Sequence, residues 1–425
     1  MKKITSYILV LFFIILLAVP LTWVLNVGAE PEESVVEART LVAMEPVSNP
    51  NLGRALNFID EGQYLEAAKI LIDLYTSASF TNKFEQATSD QFPFRLSIIN
   101  FSKSLDRMLI KLAYNFTRDS VIPADMTSDI YYDSTNDQLI FAPTIFNDTT
   151  KELINTRIKN YEALITSHPT KNFYLFYHQT LENSEYHPLN SNFKEADAGQ
   201  ALEYFEENLP DGLVFGKFEL TGIESHLQNY YRTDHHWNVY GILHAYEDIH
   251  NLLNSNFKEI TPMLEIEEIM TFEDINFLGL MTRRTLYPIN GEKFAVEVVE
   301  FPTYEIAMNG QEIEEMPRNN YFSGNYSTAP YTNHYNEFYG YVTGFTEYTN
   351  SIGPERNILI IGSSYRYALD PLIASHYNRT YSVDLRYYTD FSLSYFLNNY
   401  EVDDILIIGH DTVAFEDIEY WTINP

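Results

Sequence analysis

The 425-residue sequence contains no cysteine. That excludes disulfides, thiolate zinc sites, iron–sulfur clusters, a cysteine nucleophile and a cysteine lipid anchor. Any covalent chemistry must come from serine, histidine, tyrosine or carboxylates. Positive charge is scarce as well: 27 Lys and Arg stand against 59 Asp and Glu, a formal net charge of −32. A surface of that sign repels polyphosphate over most of its area, so nucleic acid is not an expected partner. There is no G-x-x-x-x-G-K-[ST] phosphate loop and no H-E-x-x-H pair, which removes two common signatures of nucleotide and zinc sites. Apolar residues nonetheless make up 45% of the chain, enough to bury a full core.

One long hydrophobic run is present, from Tyr7 to Leu25, preceded by Lys2 and Lys3. At about 1.5 Å per residue it nearly spans a hydrocarbon core of about 30 Å. Val27-Gly28-Ala29 before Glu30 has the small residues of a signal-peptidase site. Residues 1–29 therefore read as a signal peptide or a retained membrane anchor, with the rest of the chain on the extracytoplasmic side. Residues 30–82 read as an acidic linker followed by a helical hairpin between Leu52 and about Tyr75. Phe84 to Phe116 reads as a helical stretch interrupted at Pro93.

The second half has a clearer rhythm. Phe173–Tyr177, Asn357–Ile361, Tyr381–Leu385 and Asp404–Ile408 are short runs, most of them nearly all apolar, as strands buried on both faces require. Helical stretches at Tyr367–His376 and Phe391–Tyr400 separate the last three. The fold class is therefore α/β with a parallel sheet, with residues 83–265 and 352–425 forming one domain. Residues 266–351 read as a β-rich insertion, with Asn290-Gly291 and Asn309-Gly310 as hairpin turns. It holds a Tyr- and Asn-dense patch from Tyr321 to Tyr348 that reads as an amphipathic surface or a glycan contact.

Two places carry candidate chemistry. Gly362-Ser363-Ser364-Tyr365 follows the most hydrophobic strand, at the carboxyl edge where open parallel sheets bind ligands. A serine there is either a helix N-cap or a nucleophile whose neighbouring amides face an oxyanion. Tyr230-Tyr231-Arg232-Thr233-Asp234-His235-His236-Trp237-Asn238 precedes a helix with Val239, Leu243, Tyr246, Ile249 and Leu253 on one face. In the turn before that helix, Asp234 can hold one ring nitrogen of His236 while the other deprotonates a serine; Asp234 as a helix cap is the plainer alternative. The helix N-terminus is expected to keep His236 neutral. Adjacent histidines project in different directions and no further ligand cluster follows, so no metal is expected at His235 and His236, and nothing calls for a cofactor.

Thr233-Asp234-His235-His236-Trp237, with a strand-end Gly-x-Ser, resembles the bacterial family named for its Asp-His-His-Trp signature. That family is similar to the SGNH-hydrolase-like O-acetyltransferases of extracellular polysaccharides, such as the alginate acetylation proteins. Asp90-Gln91-Phe92-Pro93-Phe94-Arg95 resembles a motif these proteins carry ahead of their first strand. The resemblance covers about residues 83–415 and implies an SGNH-like, flavodoxin-like three-layer fold. It implies Ser364 as nucleophile, His236 as base and Asp234 as its orienter. Gly362, Ser363 and Tyr365 then complete the nucleophile turn, and His235, Trp237 and Arg386 surround the triad. Arg386 either faces the site, holding an acidic sugar or acyl carbonyl, or pairs with Asp384 or Asp390. The family usually reads Gly-Asp-Ser, and here Ser363 occupies the aspartate position. The resemblance further implies a polysaccharide acceptor and a multipass membrane acyltransferase as acyl donor. A non-catalytic glycan-binding or scaffold protein on the same fold is the alternative.

Overall fold

The computed structural model describes residues 95–415 apart from 116–118, 258–259, 290 and 341–342, with short pieces at 33–34, 39–40, 54–55, 57–59, 61, 63 and 66–70. The expected signal or anchor, most of the linker and hairpin, and Asp90–Phe94 lie outside the described residues. Among the described residues no helix is long and apolar enough to cross a membrane.

The chain divides into two compact units. The first takes in residues 1–113 and 283–287, and its main described element is helix α1 (Arg95–Tyr114, which ends one residue into the second unit). Arg107 on α1 donates Nη1 to the Leu286 carbonyl at 3.0 Å.

The second unit holds everything else and is built on an eight-stranded sheet. Its strands are β4 (Asn172–His178), β5 (Leu213–Phe218), β8 (Glu305–Met308), β9 (Gln311–Ile313), β10 (Phe345–Thr349), β11 (Asn357–Gly362), β12 (Arg379–Val383) and β13 (Asp404–Gly409). Their order is β9-β8-β10-β12-β11-β13-β4-β5. The five strands from β12 to β5 are parallel, and β9, β8 and β10 continue the sheet antiparallel. A separate three-stranded meander comprises β1 (Val121–Pro123), β2 (Ile130–Asp133) and β3 (Gln138–Phe141), and β6 (Ile266–Phe277) pairs with β7 (Glu292–Val299).

Alternation along the central strands feeds two cores. Phe173, Leu175, Ile405, Ile407, Leu359 and Ile361 face one layer, which also takes Ile154, Tyr161 and Leu164 from α2 (Asp148–Ser167) and Ala201, Leu202 and Phe205 from α3 (Gln200–Glu207). Tyr174, Phe176, Leu406, Ile408, Ile358 and Ile360 face the other, with Ile242, Ala245, Tyr246 and Ile249 of α5 (Val239–Asn254), which follows α4 (Ile223–Asn229). Strands buried on both faces need no polar alternation, which is why their sequences are continuous apolar runs.

Four expectations need correction. The sheet is mixed rather than wholly parallel, because β8, β9 and β10 of the segment read as an insertion extend its edge. Asn309-Gly310 does form a two-residue turn, with both φ positive (49° and 79°), whereas Gly291 lies just ahead of β7 in a long β6–β7 connection. The tyrosine patch is mostly interior: Tyr321, Tyr335, Tyr339 and Tyr348 are buried, Tyr335 and Tyr339 on helix α6 (His334–Tyr339). The expected helix at Tyr367–His376 is a 3-10 turn at Ser364–Ala368 followed by α7 (Asp370–Ala374), and that at Phe391–Tyr400 is α8 (Leu393–Asn399).

Candidate active site

The site lies beyond the carboxyl ends of β11, β13 and β4. Strand β11 ends at Gly362, where a Cβ would come within 2.9 Å of the Ile408 carbonyl on β13. Glycine is what lets the two strands stay close as the chain turns. Ser363 takes the extended N-cap position (φ −90°, ψ −163°) without capping, and its buried Oγ has no hydrogen-bond partner. Ser364 is the first residue of the 3-10 turn. Beneath it the fully buried Arg366 donates Nε to the Gly362 carbonyl at 3.3 Å and pairs with Asp370 and Ser382, bracing the turn from inside.

The Asp-His-His-Trp segment forms a closed loop ahead of α5. Tyr230 and Trp237 make an antiparallel bridge, and Tyr231 N donates to the His236 carbonyl at 3.1 Å. The helix cap is Asn238, whose Oδ1 accepts from Tyr240 N and Gly241 N at 2.9 and 3.2 Å, so Asp234 is not the cap. It is spent on His236 instead: Asp234 Oδ1 lies 2.7 Å from His236 Nδ1 and 3.1 Å from its backbone N. Asp234 Oδ2 accepts from Leu280 N at 2.6 Å. A Cβ on Gly279 would sit 2.3 Å from that of Asp234, so only glycine permits this approach.

Across 128 residues of chain, His236 Nε2 lies 2.7 Å from Ser364 Oγ. Asp234, His236 and Ser364 are thus in one hydrogen-bonded line, and all three are buried. Burial and the neighbouring His235 push the His236 imidazole down to about 4, against the pull of Asp234. Burial is the largest cause. Burial opposes ionisation of Asp234, but His236 and His235 outweigh it and hold the carboxyl well below the usual range. At neutral pH the line is therefore carboxylate, neutral imidazole, hydroxyl. A neutral imidazole held by a carboxylate can only accept the serine proton, which is the arrangement of a nucleophile with its base.

The remaining predicted residues surround this line. His235 lies beside His236 with ring centroids 3.9 Å apart, and its Nδ1 is 3.1 Å from Asp234 Oδ1. Trp237 is fully buried and donates Nε1 to Tyr335 Oη at 3.1 Å. Tyr365 donates Oη to the His235 carbonyl at 2.6 Å, tying the 3-10 turn to the histidine loop. Arg386 pairs with Asp384 through Nε (2.9 Å) and Nη2 (2.6 Å), and its charge also helps lower His236 and His410. Ligating atoms of Asp234, His235 and His236 lie within 4.8 Å of one another, but His236 spends both ring nitrogens on Asp234 and Ser364. A metal there would have to break the line.

Three side chains were not picked out from the sequence. Tyr335 stacks on His236 at 4.1 Å and 17°. His178 and His410 end β4 and β13 beside each other, with ring centroids 5.4 Å apart. Burial lowers His178 well below its ordinary value and His410 to about 3. Each follows an apolar strand, the same signal that marked Ser364. A cavity of about 580 Å³, lined by Gln179, Tyr186, Glu203, Lys217, Glu219 and Leu220 among others, opens past β4 and β5 without touching Asp234, His236 or Ser364.

With this geometry the chain was compared with known proteins. No protein-family model and no curated protein matches it. Two solved structures of PatB1 from Bacillus cereus, one of them with a sulfonyl adduct, align with TM-scores of 0.56 and 0.55. The chain shares the fold of PatB1. Identity is 20% and 18%, and the alignments cover 69% and 70% of this chain and 97% and 98% of PatB1. PatB1 is thus matched over nearly its whole length, and the likeness is one of fold. A DHHW family protein from Eubacterium siraeum aligns at 16% identity and a TM-score of 0.48, over 67% of this chain and 94% of that one.

Proposed function

We propose that this protein is an extracytoplasmic serine O-acyltransferase, moving an acetyl group onto a hydroxyl of a polysaccharide. The observation that carries the reading is the Asp234–His236–Ser364 line with its two 2.7 Å contacts. The fold shared with PatB1 and the resemblance carried by Asp234–Trp237 support it. In the first half-reaction His236 Nε2 takes the Ser364 proton as Oγ attacks the acyl carbonyl. The tetrahedral oxyanion would meet the backbone amides of Ser364 and Tyr365. Collapse expels the donor's leaving group, which takes the proton from His236. In the second half a sugar hydroxyl gives its proton to His236, attacks the acyl-serine carbonyl, and releases Ser364 with the proton returned. Water in place of the sugar would make the same site an esterase.

The acyl donor is an activated acyl group presented outside the cytoplasm, which fits a multipass membrane acyltransferase as partner and residues 1–29 as the segment that holds the chain beside it. The sulfonyl adduct of PatB1 suggests the probe. The full chain is treated with phenylmethylsulfonyl fluoride and, separately, with p-nitrophenyl acetate, and adducts are mapped by mass spectrometry. Both labels are expected on Ser364. Ser364→Ala should lose them and at least about 10³-fold in turnover. Equal turnover in wild type and Ser364→Ala, or labels elsewhere, would overturn the reading.

A further inference from the structure

Beyond the triad, the segment after β12 forms a stiff aromatic ledge at the same edge of the sheet. Strands β11 and β12 are parallel neighbours, with Ile361 opposite Val383, so their carboxyl ends lie about 5 Å apart. The segments that continue from each end, Ser363-Ser364 and Asp384–Tyr388, therefore start side by side. Asp384, itself buried, organises this second segment. Its carboxylate accepts from Arg386 N, Nε and Nη2, and from Tyr367 Oη at 3.0 Å, while its carbonyl accepts from Tyr387 N and Tyr388 N. Asp384 N donates to the Gly344 carbonyl at 2.9 Å. Tyr367 belongs to the 3-10 turn that begins at Ser364, so the ledge and the nucleophile share one frame.

On that frame stand two exposed tyrosines. Tyr387 is 52% exposed with the Arg386 guanidinium 5.3 Å from its ring, and Tyr388 is 37% exposed and backed by Phe345 and Phe391. An exposed aromatic face is ordinary when it is mobile. Here the backbone beneath it is fixed by a buried carboxylate, and Gly344 approaches so closely that a Cβ would lie 2.9 Å from the Tyr387 carbonyl. Arg386 is paired with Asp384, so the two tyrosines offer ring surface and hydrogen-bonding hydroxyls beside a compensated ion pair. That chemistry fits the C–H face of an uncharged pyranose, and the −32 chain around it disfavours a polyanion.

We infer that Tyr387 and Tyr388 form the acceptor subsite, stacking an uncharged pyranose of the glycan chain so that a hydroxyl reaches acyl-Ser364. This rests on the acyltransferase reading. The test uses the full chain with p-nitrophenyl acetate as donor and cellotetraose, maltotetraose or tetragalacturonate as acceptor. Acylation reports the triad; diversion of acetyl from water to sugar, and calorimetric binding of the same oligosaccharides, report the ledge. Tyr387→Ala should leave the acylation rate within about 2-fold while raising the half-saturating concentration of a neutral acceptor about 3- to 10-fold, with Tyr387→Trp restoring it. Unchanged acceptor saturation in Tyr387→Ala, better use of tetragalacturonate, or neither transfer to nor binding of any neutral chain would overturn the inference. A wild type that never acylates Ser364 defeats the acyltransferase reading alone, because calorimetry still reads the ledge.

Discussion

The two ends of the central strands each carry a buried polar cluster, and the two are built on opposite principles. At the amino end, Asp404 opens β13 with no exposure. Its carboxylate accepts from Arg356 Nε and Nη2, both at 2.6 Å, from Asn172 at 2.8 Å and from Tyr377 at 3.0 Å. Every lone pair that geometry allows is used. At the carboxyl end, both ring nitrogens of His178 and the Oγ of Ser363 have no hydrogen-bond partner. Buried polar groups are nearly always satisfied, because leaving one unmade costs about 1–3 kcal/mol. A cluster that is closed stabilises a fold; one that is open holds chemistry in reserve. The comparison sets the closed Asp404 cluster at one end against unpartnered atoms of His178 and Ser363 beside the Ser364 line at the other.

The largest effect that could break this division is at Asp404. Asp404→Asn leaves Arg356 without its carboxylate, and because that arginine is about a quarter exposed the loss should be about 2–4 kcal/mol, toward the low side of a broken buried pair. Urea unfolding should show it, while Ser364 in the folded fraction reacts with p-nitrophenyl acetate at the wild-type rate. Ser364→Ala should do the reverse, keeping or slightly raising stability as it removes reactivity. Equal damage to both properties from Asp404→Asn would mean that the two ends are not separable.

How much of this could be read from the chain follows the same physics. Strands β4, β11 and β13 were legible because burial on both faces leaves little room for polar residues, whereas β12, read at Tyr381–Leu385, runs from Arg379 to Val383 and buries Thr380 and Ser382. β5 was not, since its Gly216 and Lys217 interrupt the run and its side chains are half-buried. The Asp234–His236 turn and Ser364 stood out by residue type, but their convergence over 128 residues is a property of strand order that spacing cannot supply. His178 and His410 passed unnoticed for a simpler reason. A single histidine after an apolar strand is ordinary, and only the adjacency of β13 and β4 makes two of them a pair. Arg386 was left between two readings, and the ion pair is with Asp384 rather than Asp390.

Acid should separate the two ends by a smaller margin. His236 is held neutral down to about 4, so acylation of Ser364 should keep about nine-tenths of its rate at pH 5, where an ordinary histidine of about 6.5 would leave only a few per cent. The sign for stability is the same. His178, His236 and His410 all have lowered folded values, so the unfolded chain binds more protons from about 6.5 down to about 3, and stability is present above that window and lost as pH falls through it. Arg356 adds nothing there, because the Asp404 carboxylate pushes it further up and it does not titrate in that range. A rate profile with its acid limb near 6.5 would show that the imidazole is solvated and the carboxyl end less closed than its geometry.

The smallest expected effect is at Ser363, where the resembled family carries an aspartate. Its Oγ is buried, caps nothing and touches no partner, so Ser363→Ala removes an unmet polar group rather than a contact. Deleting such a group is neutral or stabilising by up to about 1 kcal/mol, and acylation of Ser364 should stay within about 2-fold. The turn does not depend on that side chain, since Arg366 braces it through the Gly362 carbonyl and Tyr365 ties it to the His235 loop. If Ser363→Ala instead slowed acylation 10-fold or more, the hydroxyl would have a partner that forms only with the acyl group bound. The open end of the sheet would then count Ser363 among its working groups.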